Sequence, residues 1–279
     1  MLQPHVEGAL EDFRWLDVPK FYVWDGGFFA LGRNSGVVPA SQLHVIKVVI
    51  RLDGCLSVAD SRGEWRSGDG FIIRHEIERS WVIENAQTAA IFVDPESLEG
   101  LWLRRSLSSE ITIVPGPRLQ ECVQELRAFI ERPFECMEIG RLIRLCVRSV
   151  CSGAPPARRL DARVTRVLQS IRASDDLRIS LESAASQACL SPGRFAHLFK
   201  QQVGLPFRRY MLWRKLTRAV MSVARDGTIA TAAHAADFAD AAHLTRSFYA
   251  TFGLPPSVIK RGEFFEIEPP WSDGSERIG

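Results

Sequence analysis

One spacing of residues occurs twice in the last hundred residues of the chain, and it constrains the fold more than any other feature. Each copy has a residue that can cap a helix, then apolar residues four and eight positions further on, and then a glycine. The two copies are Ser191, Phe195, Phe199 and Gly204, followed by Asp240, Leu244, Phe248 and Gly253. Apolar residues four apart share one face of an α-helix, and glycine commonly ends a helix. The repeat therefore predicts two short amphipathic helices of the same design.

Another short helix is predicted directly before each of these two helices. Residues 179–190 precede the first copy, and residues 228–236 precede the second, with a turn at residues 237–240. Two short helices joined by a tight turn form a helix-turn-helix. A long helix with an apolar inner face is predicted from Phe207 to about Ala224, between the two copies. The C-terminal region is therefore predicted to be all-α, with a double helix-turn-helix.

The positive charge of the chain is confined to the same region. Residues 158–261 contain 17 Lys and Arg against 7 Asp and Glu, whereas residues 1–157 contain 17 against 21. From residue 262 onwards the counts are 1 against 5. A basic region joined to an acidic one is typical of a protein that meets a polyanion with only one of its domains. The charge pattern therefore favours nucleic acid as a partner.

The repeat region is similar to a known family of regulators. Residues 237–257, DFADAAHLTRSFYATFGLPPS, resemble the most recognisable segment of the AraC/XylS family, and the resemblance covers about residues 161–261. It implies a one-component transcription regulator. The glycine usual in each turn is replaced by Cys189 in the first motif and by Asp237 in the second. Asp adopts left-handed backbone more readily than Cys does, so the first motif is expected to be the more strained or less firmly docked one.

The resemblance also implies how the domain would read DNA. The second helix of each motif would enter the major groove, so that one chain contacts two boxes about one helical turn apart, ~34 Å. By resemblance the base-facing positions would be Pro192, Gly193, Ala196, His197, Ala242, His243 and Arg246. The cations expected to contact phosphates are Arg194, Lys200, Arg208 and Arg209.

Arg246 is the predicted principal reader of sequence, because a guanidinium group can donate two hydrogen bonds to one guanine. His243 and His197 are the other predicted direct readers. The alternatives are a phosphate contact for Arg246 and a surface or phosphate-contacting role for each histidine. Most of the remaining base-facing side chains are small, so DNA shape and phosphate contacts are expected to carry more of the recognition.

The sequence up to about residue 115 predicts short strands with tight turns. Residues 44–52 are rich in β-branched side chains, and Asp53-Gly54 after them is a hairpin signal. Regular short strands favour a small barrel or jelly roll. Two amphipathic helices follow, with apolar stripes at residues 119–130 and 139–150. The AraC/XylS resemblance implies a cupin-like barrel that binds an effector, and helices that dimerise.

The predicted architecture is therefore α+β with two domains. Residues 1–151 would form the cupin-like effector-binding and dimerisation domain, and residues 152–160 the linker, because Gly and Pro break the helical periodicity there. Residues 161–262 would form the double helix-turn-helix, and residues 263–279 an acidic tail.

Catalysis is not predicted, and neither is a metal or a cofactor. Cupin enzymes hold a metal with a close set of histidines and a carboxylate, whereas His44 and His75 are far apart in the sequence. The six cysteines include no CxxC pair and are predicted to be buried free thiols. A cupin enzyme or DNA-repair protein that uses the same DNA module is the alternative from another class.

Two short motifs suggest an effector. An RxxxR sequence at residues 62–66 and an SxxG sequence at residues 97–100 resemble the motifs with which PilZ domains bind cyclic di-GMP. Two guanidinium groups four residues apart in extended chain point the same way and can hold phosphates and guanine edges. The alternative is a solvated charged hairpin. The candidate ligand-binding residues are Arg62, Trp65, Arg66, Ser97 and Gly100, with Trp81 as a second ring that could stack on a base.

The predicted protein is a sequence-specific regulator controlled by a small-molecule effector, with cyclic di-GMP as the candidate. Its expected partners are promoter DNA, RNA polymerase and a second copy of the chain, and no membrane partner is expected. The sequence shows no apolar segment of membrane-spanning length and no signal peptide, so a cytoplasmic location is expected. The alternative within the same class is a ligand-free regulator whose N-terminal half is only a dimerisation scaffold.

Overall fold

The computed structural model describes residues 12–131, 136–155, 160–225 and 227–270. Four predictions concern residues outside this part of the chain. They are the helix end near Pro133, the burial of Cys136, residues 156–159 of the linker and residues 271–279 of the tail. Within the described residues, the predicted combination of a β-rich first part and an all-α second part is confirmed.

The strands form one connected sheet, in the order β10, β2, β3, β8, β4, β7 and β9, with β1, β5 and β6 paired to its sides. They are β1 (Arg14–Trp15), β2 (Lys20–Trp24), β3 (Gly27–Gln42), β4 (Ile46–Arg51), β5 (Cys55–Ala59), β6 (Trp65–Ser67), β7 (Gly70–Ile73), β8 (Glu78–Val93), β9 (Ile111–Val114) and β10 (Glu263–Glu266).

The sheet bends because β8 shares one of its edges between two strands. Residues 80–84 pair with β5 and residues 88–93 pair with β4, while β3 pairs along most of β8. Register shifts between Asn34 and Gly36 and between Val38 and Ser41 accommodate the bend. The bent sheet encloses an apolar cluster to which β3, β4, β5, β7, β8 and β9 all contribute, including Val38, Val49, Leu56, Phe71, Trp81 and Ile111. The predicted β-rich region is therefore one large bent sheet, whereas its description as a barrel or jelly roll of the cupin class stays a prediction.

The helices are α1 (Leu98–Ser106), α2 (Gly116–Glu131), α3 (Cys136–Val150), α4 (Ala162–Ala173), α5 (Leu181–Gln187), α6 (Pro192–Val203), α7 (Phe207–Ala224), α8 (Ile229–Ala235) and α9 (Ala241–Phe252). A short 3₁₀ helix at Pro256–Arg261 follows α9.

The two predicted amphipathic helices, α2 and α3, cover the outer side of the sheet. Side chains alternate along β4, so Val48 and Ile50 point away from the enclosed cluster. They join Leu126 of α2 and Ile143 of α3 in a separate apolar core. The apolar stripes read from the sequence are therefore the sheet-facing sides of these helices.

The helical region contains the two predicted helix-turn-helix motifs, α5–α6 and α8–α9. Side-chain caps begin three of the four helices, since Ser180, Thr228 and Asp240 each accept a hydrogen bond from a backbone N–H three residues on. Both turns have left-handed backbone, with φ of 53° at Cys189 and 57° at Asp237. Cys189 and Asp237, which stand where the AraC/XylS resemblance implies glycine, thus adopt a backbone conformation that favours glycine.

The chain returns to the sheet after the second motif. Residues 263–266, which the sequence predicted as the start of an acidic tail, form β10 and pair in parallel with β2. Phe264 stacks on Phe21 and Phe265 on Tyr22, each with ring centroids 5.0 Å apart. The helical region is therefore attached to the sheet through its C-terminal end as well as through the chain before α4.

Candidate nucleic-acid interface and internal cavity

The second helix of each motif, α6 and α9, exposes one face. Phe195 and Phe199 of α6 and Leu244 and Phe248 of α9 are buried, as the repeat predicted. The candidate DNA-reading residues lie on the opposite side. Exposed there are Pro192, Gly193, Arg194, His197, Lys200, Ala242, His243 and Arg246, with Ala196 half-buried.

Some of these side chains are free to contact a ligand, whereas others are engaged in contacts within the protein. The Arg246 side chain makes no hydrogen bond or ion pair with any other described residue, so its guanidinium group is available to a ligand. The His243 ring contacts Phe238 edge-on, with centroids 5.2 Å apart, and its backbone N–H donates to Asp240. Arg208 is exposed, but the Arg209 side chain lies 3.7 Å from Glu76, in the turn between β7 and β8. Arg209 is therefore engaged within the protein rather than held ready for a phosphate.

A second feature is a cavity of about 100 Å³ inside the protein, between the sheet and α9. Aromatic side chains form much of its lining, among them Trp15, Phe28, Trp81 and Phe92 of the sheet region and Phe248 and Phe252 of α9. The helix that carries Arg246 on its exposed face thus forms one wall of the cavity with its buried face.

Two cations lie in this apolar lining. The Lys47 ammonium is 4.7 Å from the ring centroid of Trp81 and 5.2 Å from that of Phe92, and no carboxylate pairs with it among the described residues. Burial, with a smaller effect of the nearby Arg79, lowers the pKa of Lys47 to about 7. Arg79 donates to the carbonyl oxygens of Ser41 and Ile77, and burial lowers its pKa to about 10. An anion is the ligand that such a pair favours.

Buried polar contacts join the sheet to the helical region beside the cavity. Trp213 Nε1 donates to the Gly26 carbonyl at 2.7 Å, and Arg214 donates to Asp25 at 2.5 Å. Tyr210 donates to Glu96 at 2.7 Å. These contacts join residues more than one hundred positions apart, and no local sequence pattern indicates them.

Asp94 lies at the centre of this contact region. It accepts a hydrogen bond from Trp24 Nε1 at 2.8 Å, and its pKa is raised to about 7 by burial and by the neighbouring Glu96 carboxylate. Arg172 and Arg214 oppose this rise.

Two residues of the predicted cyclic di-GMP motif, Arg66 and Ser97, make contacts within the protein. Arg66 lies 3.4 Å from both Asp60 and Glu64, and Arg62 is exposed. Ser97 caps α1 by accepting from the Gly100 N–H. Trp65 is half-buried.

The two halves of that motif lie at opposite ends of β8. Ala59, next to the RxxxR hairpin, pairs with Ser80 near the start of the strand, whereas Ser97 follows its end at Val93. The structure therefore does not bring the two halves together. Trp81, the second candidate ring, lines the internal cavity instead.

The histidines and cysteines form no metal-binding group within the described ranges. His44 contacts Glu76 at 2.7 Å, and burial lowers the pKa of His75 to about 4. Three of the five described cysteines are buried, whereas Cys55 and Cys189 are exposed. In the same part of the chain, no helix has the length and apolar character needed to cross a membrane.

Two helix-turn-helix motifs, each with an exposed face on its second helix and both attached to a bent sheet, define a helix-turn-helix protein. Residues 184–262 match the family model described as "Helix-turn-helix domain". Over 136 residues the chain is 30% identical to the arabinose operon regulatory protein of Salmonella typhimurium, a match that covers 46% of this chain and 47% of that protein. The Escherichia coli K12 protein of the same name is 31% identical over 107 residues, which cover 37% and 36%. The chain is thus similar to these regulators over part of its length, and its matches span less than half the length of these curated relatives.

The fold as a whole is similar to that of ToxT from Vibrio cholerae. The apo form has a TM-score of 0.55 at 10% identity, covering 82% of this chain and 95% of that one. ToxT with a bound unsaturated fatty acid has a TM-score of 0.52 at 11% identity, covering 80% and 90%. At such low identity the similarity shows a shared fold.

Proposed function

We propose that the protein is a sequence-specific regulator of transcription whose binding to promoter DNA is controlled by a small-molecule effector. The observation that carries the proposal is the pair of matching motifs, each of which exposes the face of its second helix in a region with ten excess positive charges. Two such helices can lie in successive major grooves on one face of DNA. The match of residues 184–262 to a helix-turn-helix family model supports the same function.

Selection from randomised double-stranded DNA tests this proposal. The full chain is incubated with the DNA pool, and the bound fraction is amplified and sequenced. We expect a motif of two boxes, with phosphate contacts that make the affinity fall steeply with salt. A bound fraction whose sequence composition equals that of the input pool would overturn sequence-specific binding.

We further propose that the effector occupies the internal cavity and that it is an apolar molecule with a carboxylate. The aromatic lining would take its apolar part, and Lys47 and Arg79 would take its charge. The fatty acid bound in ToxT, a protein of similar fold, supports this class of ligand.

The size of the cavity suggests how binding would reach the DNA-reading helix. A cavity of about 150 Å³ accommodates roughly one benzene ring, so a longer molecule must displace part of the wall around about 100 Å³. The β3 and β8 walls are held by strand pairing, whereas Phe248 and Phe252 hold α9 by side-chain packing. Entry of the effector would therefore move α9, which carries Arg246.

A thermal-shift comparison separates this proposal from the ligand-free alternative. An unsaturated fatty acid should raise the melting temperature, whereas the alcohol of the same chain should raise it less, because a ligand of the folded state stabilises it. If neither compound shifts the transition, the N-terminal part is better described as a scaffold.

Cyclic di-GMP as the effector stays a prediction. Calorimetric titration tests it directly: heat from the wild type that is lost in the double variant Arg62→Ala and Arg66→Ala would support it, and an absence of heat would exclude it. We also propose that the protein dimerises through α2 and α3 and that it contacts RNA polymerase. Sedimentation of the full chain at several concentrations tests the first of these.

A further inference from the structure

The turn of the second helix-turn-helix motif is connected to the first motif by a side chain. Asp237, in that turn, accepts the backbone N–H of Leu177 on Oδ2 at 2.7 Å. Its other oxygen, Oδ1, lies 3.4 Å from Nε of Arg178, and the side chain is only 15% exposed. Leu177 and Arg178 lie just before α5, the first helix of the first motif. The carboxylate thus joins the turn of the second motif to the segment that leads into the first motif.

The long helix α7 holds the same two segments together. Lys215 donates to the backbone carbonyl of Asp237 at 2.8 Å. One turn further along α7, Arg218 donates to the carbonyl oxygens of Ser174 and Asp175 at 2.8 and 2.5 Å. The segment before α5 and the turn after α8 are therefore both hydrogen-bonded to α7. The Asp237 carboxylate adds a direct contact between these two segments.

The first motif has the same turn without this connection. Cys189 has nearly the same left-handed φ as Asp237, and each residue donates its N–H to a carbonyl three residues earlier. The Cys189 thiol is exposed and makes no hydrogen bond with other described residues. The left-handed turn itself therefore needs no side-chain connection, and the bond from Asp237 is an addition particular to the second turn.

We propose that Asp237 is a positioning residue that sets the separation of α6 and α9, and thereby the spacing between the two DNA boxes that the protein accepts. The proposal rests on the proposed DNA-binding function. Each recognition helix is fixed to its own motif by a turn and a buried core, so a bond between the motifs limits how far one recognition helix can shift relative to the other. A change of two base pairs in box spacing rotates one box by about 70° around the DNA axis, which a rigid pair of helices cannot follow.

The test is DNA selection with the full-length wild type and three variants. Asp237→Gly keeps the left-handed turn and removes the carboxylate, while Cys189→Gly makes the matched change in the other turn. Asp237→Asn keeps an oxygen that can accept from Leu177. We expect wild type, Asp237→Asn and Cys189→Gly to recover boxes at one spacing, and Asp237→Gly to recover several. On the selected site, adding two base pairs between the boxes should lower the affinity of the wild type about tenfold, and that of Asp237→Gly less than about threefold.

The outcomes separate this inference from the function on which it rests. If the wild type enriches no sequence, the proposed function fails, and the inference about box spacing fails with it. If the wild type enriches two boxes and Asp237→Gly selects the same single spacing, only the role of Asp237 is overturned. Amide hydrogen exchange gives a readout without DNA: exchange at Leu177 should accelerate in Asp237→Gly but not in Cys189→Gly. Equal protection in both variants would contradict the connection itself.

Discussion

At the scale of single residues, Arg246 has the most specific expected role. It is exposed on α9 and has no partner among the described residues, so its loss should leave the fold intact. We expect Arg246→Ala to weaken binding to the selected DNA by ~1 to 3 kcal/mol and to relax preference at one base pair. Titration of the selected site and of a scrambled site measures both effects. Arg194→Ala is the control for a phosphate contact and should weaken binding to the selected and the scrambled site alike. If Arg246→Ala also weakens binding to both sites equally, Arg246 contacts phosphate rather than a base.

Lys47 provides a second prediction at this scale. Because burial lowers its pKa to about 7, much of the free protein carries a neutral amine at pH 8. A bound carboxylate favours the charged ammonium, so binding takes up a proton and the affinity for a fatty acid should fall as the pH rises from 7 to 9. Lys47→Met, which retains an unbranched apolar side chain, should bind more weakly at pH 7 and lose most of this pH dependence. Calorimetry at several pH values would show this, and an unchanged slope in the variant would assign the pH effect to another group.

At the scale of elements, β10 is the strand that returns the C-terminal end of the helical region to the sheet. Truncation after Gly262 removes its pairing with β2 and the stacking of Phe264 and Phe265. We expect a loss of stability on the order of 2 kcal/mol, because two partly buried aromatic side chains are removed. Chemical unfolding measures the loss, and truncation after Pro270 serves as the control. If both truncations behave alike, β10 contributes little to the attachment.

At the scale of the whole molecule, the contact between sheet and helical region should depend on pH. The pKa of Asp94 is about 7 in the folded protein, well above the value of about 3.9 expected for an unfolded chain. A raised pKa means that the folded state holds a proton that the unfolded state has released, so this contribution is complete below about pH 4 and disappears as the pH rises through 7. The free energy of unfolding should therefore fall by about 1 kcal/mol between pH 6 and pH 8 on account of this group.

The variant Asp94→Asn isolates this contribution. Its amide oxygen can still accept from Trp24, but the side chain no longer titrates, so the part of the pH dependence due to Asp94 should disappear. Asp25→Asn, at the more exposed partner of Arg214, is the matched control and should retain that dependence. Urea unfolding at pH 6 and pH 8 makes the comparison. Parallel behaviour of Asp94→Asn and the wild type would place the pH dependence elsewhere.

Local patterns were sufficient to predict the helical region. Helix hydrogen bonds join residues four apart, so apolar periodicity and capping residues reveal α6 and α9 before any tertiary contact is known. The family resemblance indicated Arg246, His197 and His243 as base-facing positions, and all three are exposed in the structure. The left-handed turns at Cys189 and Asp237 followed from comparison with the glycines of the family, and both were confirmed.

The contacts that link distant segments came from the tertiary structure. The cavity is lined by residues of β3, β8 and α9, and β10 pairs with β2. Asp237 accepts a hydrogen bond from a backbone N–H sixty positions earlier in the chain. Sheet pairing and packing between domains depend on which surfaces meet, and the periodicity of one segment says nothing about its distant partner. The sequence therefore suggested an effector motif at Arg62 and Arg66, which are close together in the chain. The contact of Lys47 with the rings of Trp81 and Phe92 joins distant segments, and only the tertiary structure shows it.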